Sequence, residues 1–256
     1  MGVAQLNMLA FRRGRGRGAP PGALPWRAAT IATDAACSIL GRKRVVRASR
    51  CVYFRARRDT PNGLYGNGEL NLQRWIMNLS AGGRIHVVDA GANVGQWSMA
   101  MLDAARRSRR LDDLDLHAFE PSSYTFGCLS EALSEHSLIL RQAALGEETG
   151  SSDLHVIAPG SSINSLYQLP WAPNGSTTEE VPVTTLDEYA DEAKLKHITL
   201  VKIDTEGNDM AVLRGAQSLF SAQRISVVQF EYNWMWVCAR SFLRDAFELL
   251  RPLGIA

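Results

Sequence analysis

Five stretches of the chain are almost continuously apolar, and each runs into an acid, a glycine or both: 85–90, 114–119, 138–146, 198–203 and 225–230. Their β-branched content (Ile85, Val87, Val88; Ile198, Val201, Ile203) predicts strands buried on both faces, as in a parallel sheet. Between them the apolar residues return at helical spacing. Val94, Trp97, Met101, Leu102 and Ala105 follow the first run. A helix capped by Ser122 or Ser123 and ending near Leu133 follows the second, and one carrying Met210, Leu213 and Phe220 behind an Asn208 cap follows the fourth. Alternation of this kind predicts an α/β fold. Outside it, residues 23–40 read as a small helix, Val45 to Phe54 as a strand-like run, Pro61-Asn62-Gly63 as a turn and Glu69 to Met77 as a short amphipathic helix. Residues 151–180, rich in Ser, Asn, Pro and Gly, read as a long loop of the kind that forms lids. Val181 to Asp187 reads as a short strand leading into a helix.

Composition adds little to this picture. At 256 residues, 46% hydrophobic and 21% charged, the chain has room for one domain with an extension. The net charge of +2 is unevenly spread: residues 1–33 hold five arginines and no acid, and residues 42–58 hold eight Lys/Arg and no acid. Within the first segment residues 1–22 read as a disordered Arg/Gly tail, and the second segment reads as a solvated, pairing-resistant edge. No nucleic-acid partner is expected from so short a repeat without interleaved aromatics. No apolar run reaches the roughly 18 residues that would span a bilayer. The four cysteines form no C-x-x-C, which predicts reduced thiols in a cytoplasmic protein and no zinc site.

Chemistry concentrates at the ends of the predicted strands. The first strand stops at Asp89, and the turn that follows is D-x-G-x-x-x-G rather than the G-x-G-x-x-G of dinucleotide binders. Gly91 and Gly95 would let the backbone approach a ligand closely. An acid at Asp89 would repel a pyrophosphate and suits a cation such as the ammonium group of S-adenosylmethionine. Glu120 falls 25 residues after Gly95, at the end of the neighbouring strand, where a carboxylate can accept hydrogen bonds from both ribose hydroxyls. Asp204, Glu206 and Asp209 crowd the end of the fourth strand; Glu231 ends the fifth, ahead of Trp234 and Trp236.

The segment V-D-A-G-A-N-V-G (88–95) resembles motif I of class I methyltransferases. Together with F-E-P (119–121), G-S-S-I-N-S-L (160–166) and K-I-D-T-E-G-N-D (202–209) it resembles the FkbM family. The resemblance implies a doubly wound, mostly parallel Rossmann-like sheet of order 3-2-1-4-5, reading as truncated before the C-terminal antiparallel hairpin. It implies an Arg/Gly tail at 1–22, an N-terminal extension or cap at 23–80 and the methyltransferase domain at 81–256. It also implies S-adenosylmethionine as cofactor, bound by Asp89, Gly91, Ala92, Asn93, Gly95 and Glu120, with Gln142 and Ala143 beside the adenine and Tyr65 and Glu69 as candidates for closing the pocket. The activity implied is O-methylation of a sugar, polyketide or similar small metabolite, with Asp204 or Glu206 as the base. These acids could alternatively hold a divalent metal, but no His–carboxylate cluster supports one and none is expected. The alternative is a cofactor-binding but catalytically impaired relative. The apolar fifth strand, left at a free edge, points to a homo-oligomer.

Overall fold

The computed structural model describes residues 23–57, 64, 66–79, 82–170, 172 and 175–255. The predicted tail at 1–22, the turn at 61–63 and Tyr65 lie outside them. The chain divides into two compact units, 1–61 and 62–256. In the first, α1 (Ala23–Leu40) and α2 (Arg42–Arg57) meet at Gly41, whose φ of 83° is left-handed. The strand-like run Val45–Phe54 is therefore helical. Its two arginines, Arg47 and Arg50, and Ala48 favour a helix where Val45, Val46 and Val52 favour a strand, and no described strand pairs with it.

In the second unit α3 (Glu69–Leu79) leads into β1 (Ile85–Ala90), followed by α4 (Gln96–Arg107), β2 (Leu114–Phe119), α5 (Ser123–Ala132), β3 (Ile139–Arg141), β4 (Ala144–Leu145), β5 (Gly150–Val156), β6 (Thr177–Thr184), α6 (Leu186–Glu192), β7 (Ile198–Ile203), α7 (Asp209–Arg214), α8 (Gln217–Ser221), β8 (Ile225–Phe230), α9 (Met235–Cys238) and α10 (Leu243–Leu250). The main sheet is entirely parallel, in the order β3-β2-β1-β7-β8, which is the doubly wound order expected. Every residue of β7 is buried, as the apolar run demanded. Two cores flank the sheet. One gathers Ile76, Trp97, Met101 and Leu129 from α3, α4 and α5; the other gathers Tyr189, Leu213, Phe220 and Trp236. The helix α3, assigned from sequence to the N-terminal extension, thus packs into the second unit through Gln73, Ile76 and Met77. No helix among the described residues is long and apolar enough to cross a membrane.

Three local expectations are corrected. The single third strand splits: β3 stays in the main sheet, while β4 pairs with β6 in a second sheet of order β4-β6-β5. The predicted loop at 151–180 contains β5, antiparallel to β6 from Gly150–Val183 to Val156–Thr177. Of its seven residues only Leu154 is buried, so the apolar signal of a strand was absent. The single helix after Asn208 breaks into α7 and α8 at Gly215, where a Cβ would lie 1.9 Å from the Gly146 carbonyl oxygen. The interruption is the place where that helix layer touches the β4 turn.

Candidate active site

The carboxyl ends of β1, β2, β7 and β8 meet at one side of the sheet, where doubly wound folds bind ligands. After β1 the chain turns through Gly91, Ala92, Asn93, Val94 and Gly95. The amides of Gly91 and Ala92 donate to the Phe119 carbonyl (3.0 and 2.8 Å), and that of Asn93 donates to Glu120 Oε2 (3.0 Å). Those of Val94 and Gly95 donate to Asn93 Oδ1 (2.7 Å) and the Ala92 carbonyl (2.9 Å). Every amide of the turn 91–95 is thus paired within the protein.

Both glycines are required by the packing of the protein itself. Gly91 has φ 82°, and a Cβ there would lie 2.0 Å from the Asp204 carbonyl oxygen. It is glycine because the end of β7 passes against it. A Cβ on Gly95 would meet Leu129 Cδ1 at 2.9 Å, so this residue lets α4 start close against α5.

Asp89 is fully buried and already engaged. Ser98 Oγ donates to its Oδ2 at 2.7 Å, and Lys202 Nζ stands 3.2 Å from its Oδ1. The same ammonium lies 3.4 Å from Asp204 Oδ2 and donates to the Gly91 carbonyl at 3.3 Å. Burial by itself would lower the Lys202 pKa, but the charges of Asp89 and Asp204 outweigh it and hold the pKa above its ordinary value. Lys202 therefore ties β1, the Gly turn and Asp204 together. The cation beside Asp89 in this structure is a lysine. The signal was present in the sequence: a lysine inside an otherwise apolar, fully buried strand must have a charged partner.

Glu120 is buried. Burial raises its pKa to about 7 against the opposing hydrogen bonds from the Ser122 and Asn93 amides. Both of its oxygens face backbone donors (3.0 Å each), which fixes the carboxylate and leaves lone pairs for hydroxyl donors. Beside it is a cavity of about 100 Å³, lined by Phe119, Ala143, Leu145, Leu154 and Leu166. Ala143 is thus at the site, whereas Gln142 is exposed and does not line the cavity. The loop 160–166 borders the cavity and is tied down. Asn164 Oδ1 accepts from the Ile157 amide (2.9 Å), and Ser165 Oγ donates to the Glu206 carbonyl (2.7 Å).

A wider cleft of about 890 Å³ shares Gly91, Asn93, Ser162 and Asp204 with this cavity and extends to Glu69, Trp97, Gln229, Glu231 and Tyr232. Acids of the two spaces gather in one group: Asp204, which lines both, Glu206 from the cavity and Glu231 from the cleft each offer an oxygen within 4.8 Å of the others. Glu206 sits in a left-handed conformation (φ 51°). Burial first, and then the charges of Asp204, Glu231 and Asp209, raise its pKa to about 8. Glu231, left outside the catalytic pair by sequence reasoning, completes the group because β8 lies beside β7. Asp209 is buried and accepts the Gly207 amide (3.1 Å), so it shapes the turn. Asn208 does not cap α7; its Nδ2 donates to the Leu145 carbonyl at 2.7 Å. Ser122 likewise stands at the start of α5 without a side-chain capping bond. Trp236 is buried with its Nε1 on the Glu231 carbonyl, while Trp234 is about half exposed.

The lining fits S-adenosylmethionine: carboxylates for a cation and for ribose hydroxyls, and a cavity beside Glu120 with an apolar side. In addition, Trp97 Nε1, Thr205 Oγ1 and Gln229 Oε1 are buried atoms without a hydrogen-bond partner, on residues that line the cavity or the cleft. Buried polar groups without partners are costly, and a ligand can satisfy them.

Methyltransferase 1 of Beauveria bassiana (strain ARSEF 2860) is 30% identical to this chain over 148 residues, covering 50% of the chain and 57% of that protein. The chain thus spans little more than half the length of this curated relative. Among solved structures, a SAM-dependent methyltransferase from Agrobacterium tumefaciens aligns at TM-score 0.40 with 9% identity, over 73% of this chain and 50% of that one. The plantazolicin methyltransferase BpumL in complex with SAH aligns at TM-score 0.36 with 9% identity, over 73% and 62%. The profile of the methyltransferase FkbM domain matches residues 89–250, more than half of the chain, taking in both the Gly turn and the Asp204 turn. The chain belongs to the FkbM methyltransferase family, whose cofactor is S-adenosylmethionine.

Proposed function

We propose that the protein is an S-adenosylmethionine-dependent O-methyltransferase acting on a hydroxyl of a small metabolite of sugar or polyketide type. The observation that carries this reading is the carboxylate group at the ends of β7 and β8, with Glu206 held at about 8. A hydroxyl is a poor nucleophile until its proton is removed, and a base titrating near neutral pH does this best. Glu206 takes that proton in this reading, and Asp204, fixed by Lys202, orients the hydroxyl. When bound, S-adenosylmethionine supplies an electrophilic methyl group. Glu120 accepts the ribose hydroxyls, and Asn93, Ala92 and Ala143 flank the cofactor, with Gln142 at its rim. Asp89 acts at one remove, through Lys202. Gly91 and Gly95 shape the turn. Tyr232, half exposed on the wide cleft, offers a ring face to a sugar or macrocycle. Self-association through the outer edge of β8, with which no described strand pairs, and a cytoplasmic setting for the four free cysteines belong to the same proposal.

The test is transfer of a labelled methyl group to a panel of sugar and polyketide hydroxyls, followed against pH. Activity should rise through about pH 8 as Glu206 ionises. Glu206→Gln should lower turnover roughly 10²–10⁴-fold and abolish that rise. Calorimetric affinity for S-adenosylhomocysteine should be unchanged. Full turnover by Glu206→Gln, or methylation at nitrogen alone, would overturn the proposal. Binding without turnover on any acceptor would replace it with the impaired, cofactor-binding alternative.

A further inference from the structure

We infer that α2 seats the protein on an anionic lipid bilayer surface. The helix has 16 residues, seven of them Lys or Arg and none acidic, and none of its residues is buried. At 100° per residue its composition falls largely into two arcs, with Arg42 lying among the apolar positions and Phe54 among the cationic ones. Lys43, Arg44, Arg47, Arg50, Arg55 and Arg57 share one side. Val45, Ala48, Val52 and Ala56, spaced three and four apart, form the other, with Val46 and Tyr53 at its margin. A helix in a globular protein covers such a stripe, yet here Val46 is 53% exposed, Val52 69% and Tyr53 54%. Apolar residues left in water beside a block of one charge mark an interaction surface. In the same unit α1 leaves Ile31 and Ile39 exposed as well.

Charge and apolarity together select the occupant. The cationic arc calls for a polyanion, and both phospholipid headgroups and nucleic acid supply one. Only a bilayer also offers, directly behind its phosphates, an apolar layer for Val52, Val46 and Tyr53. On nucleic acid these residues would stay in water. A helix lying in the interface with its cations at headgroup level satisfies both arcs at once and needs no membrane span, in keeping with the lack of a crossing helix among the described residues. The inference does not depend on the methyltransferase reading, because α2 belongs to the unit 1–61.

The experiment is co-sedimentation of the full chain with sucrose-loaded vesicles, of phosphatidylcholine alone or with phosphatidylserine. Binding is expected only to the mixed vesicles and should weaken as salt is raised. Arg47→Gln with Arg50→Gln should reduce partitioning by roughly 25-fold, at about fivefold per cation near the surface. Val52→Asp, which leaves every cation in place, should reduce it at least tenfold. Circular dichroism should confirm that both variants keep their helix content. Three results would overturn the inference: equal binding to phosphatidylcholine alone, binding unaffected by Val52→Asp, or a single-stranded RNA oligonucleotide that displaces the vesicles and binds the Val52→Asp chain as well as the parent.

Discussion

Replacing Lys202 with methionine probes the interaction that ties the Gly turn to the Asp204 turn. Methionine keeps most of the apolar stem of lysine, one atom shorter, and removes the charge together with the hydrogen bond to the Gly91 carbonyl. The Lys202 side chain is 7% exposed and that of Asp89 0%, with 3.2 Å between Nζ and Oδ1. Once the ammonium is gone, Asp89 keeps only the Ser98 hydroxyl as a polar side-chain partner, and water cannot reach it. Breaking a buried pair from one side costs about 3–5 kcal/mol, because the remaining charge is uncompensated. Asp204, at 37% exposure, recovers part of its loss from solvent, so the estimate rests on Asp89. For a folded unit of this size the loss corresponds to a melting temperature lower by about 6–20 °C. The Lys202 pKa is raised in the folded protein, so its contribution is complete below the unfolded lysine value of about 10.4 and is lost only as pH rises through the higher folded value. Urea and thermal melts at neutral pH therefore read the whole effect. Adding Asp89→Asn, which keeps the Ser98 hydrogen bond without the charge, should restore at least half of the loss, and the double-mutant cycle measures the coupling. A Lys202→Met chain that loses less than about 1 kcal/mol, or a double variant no more stable than the single one, would refute this account.

Two further outcomes follow from the same geometry. Gly91→Ala should destabilise by well over 1 kcal/mol, because the new Cβ meets the Asp204 carbonyl at 2.0 Å on a left-handed backbone; unchanged urea melts would show that β7 can move aside. Glu120 has a folded pKa of about 7 against an ordinary 4.5, so the stabilisation it gains by holding a proton is complete below about 4.5 and is lost as pH rises through about 7. Ribose donors need the anion, so calorimetric affinity for S-adenosylhomocysteine should fall about tenfold per unit below pH 7, level off above it, and lose this dependence in Glu120→Gln.

Continuous apolar runs settled much of this fold before any contact was known. A strand buried on both faces needs apolar residues at nearly every position, and β1, β2 and β7 announced themselves that way; β8 carries a similar run, but at the sheet edge only its Ile225 is buried. The acids and glycines at their ends marked the working face, because strand ends in such a sheet are where backbone turns and side chains become free. Glu120, Asp204 and Glu206 were legible for that reason. Periodicity reports the burial of one element, however, and says nothing of which distant backbone comes to lie against it. β5 was unreadable because a second-sheet strand with one buried residue needs only a partner, β6, to form. Val45–Phe54 became a helix because local preferences were balanced and no strand lay beside it to pair. The tertiary structure alone decided that Gly91 makes room for the end of β7, that Asp89 faces Lys202, and that Glu231 joins Asp204 and Glu206. Each of these depends on a separation of a few ångströms between residues far apart in sequence, and the packing of the sheet sets that distance.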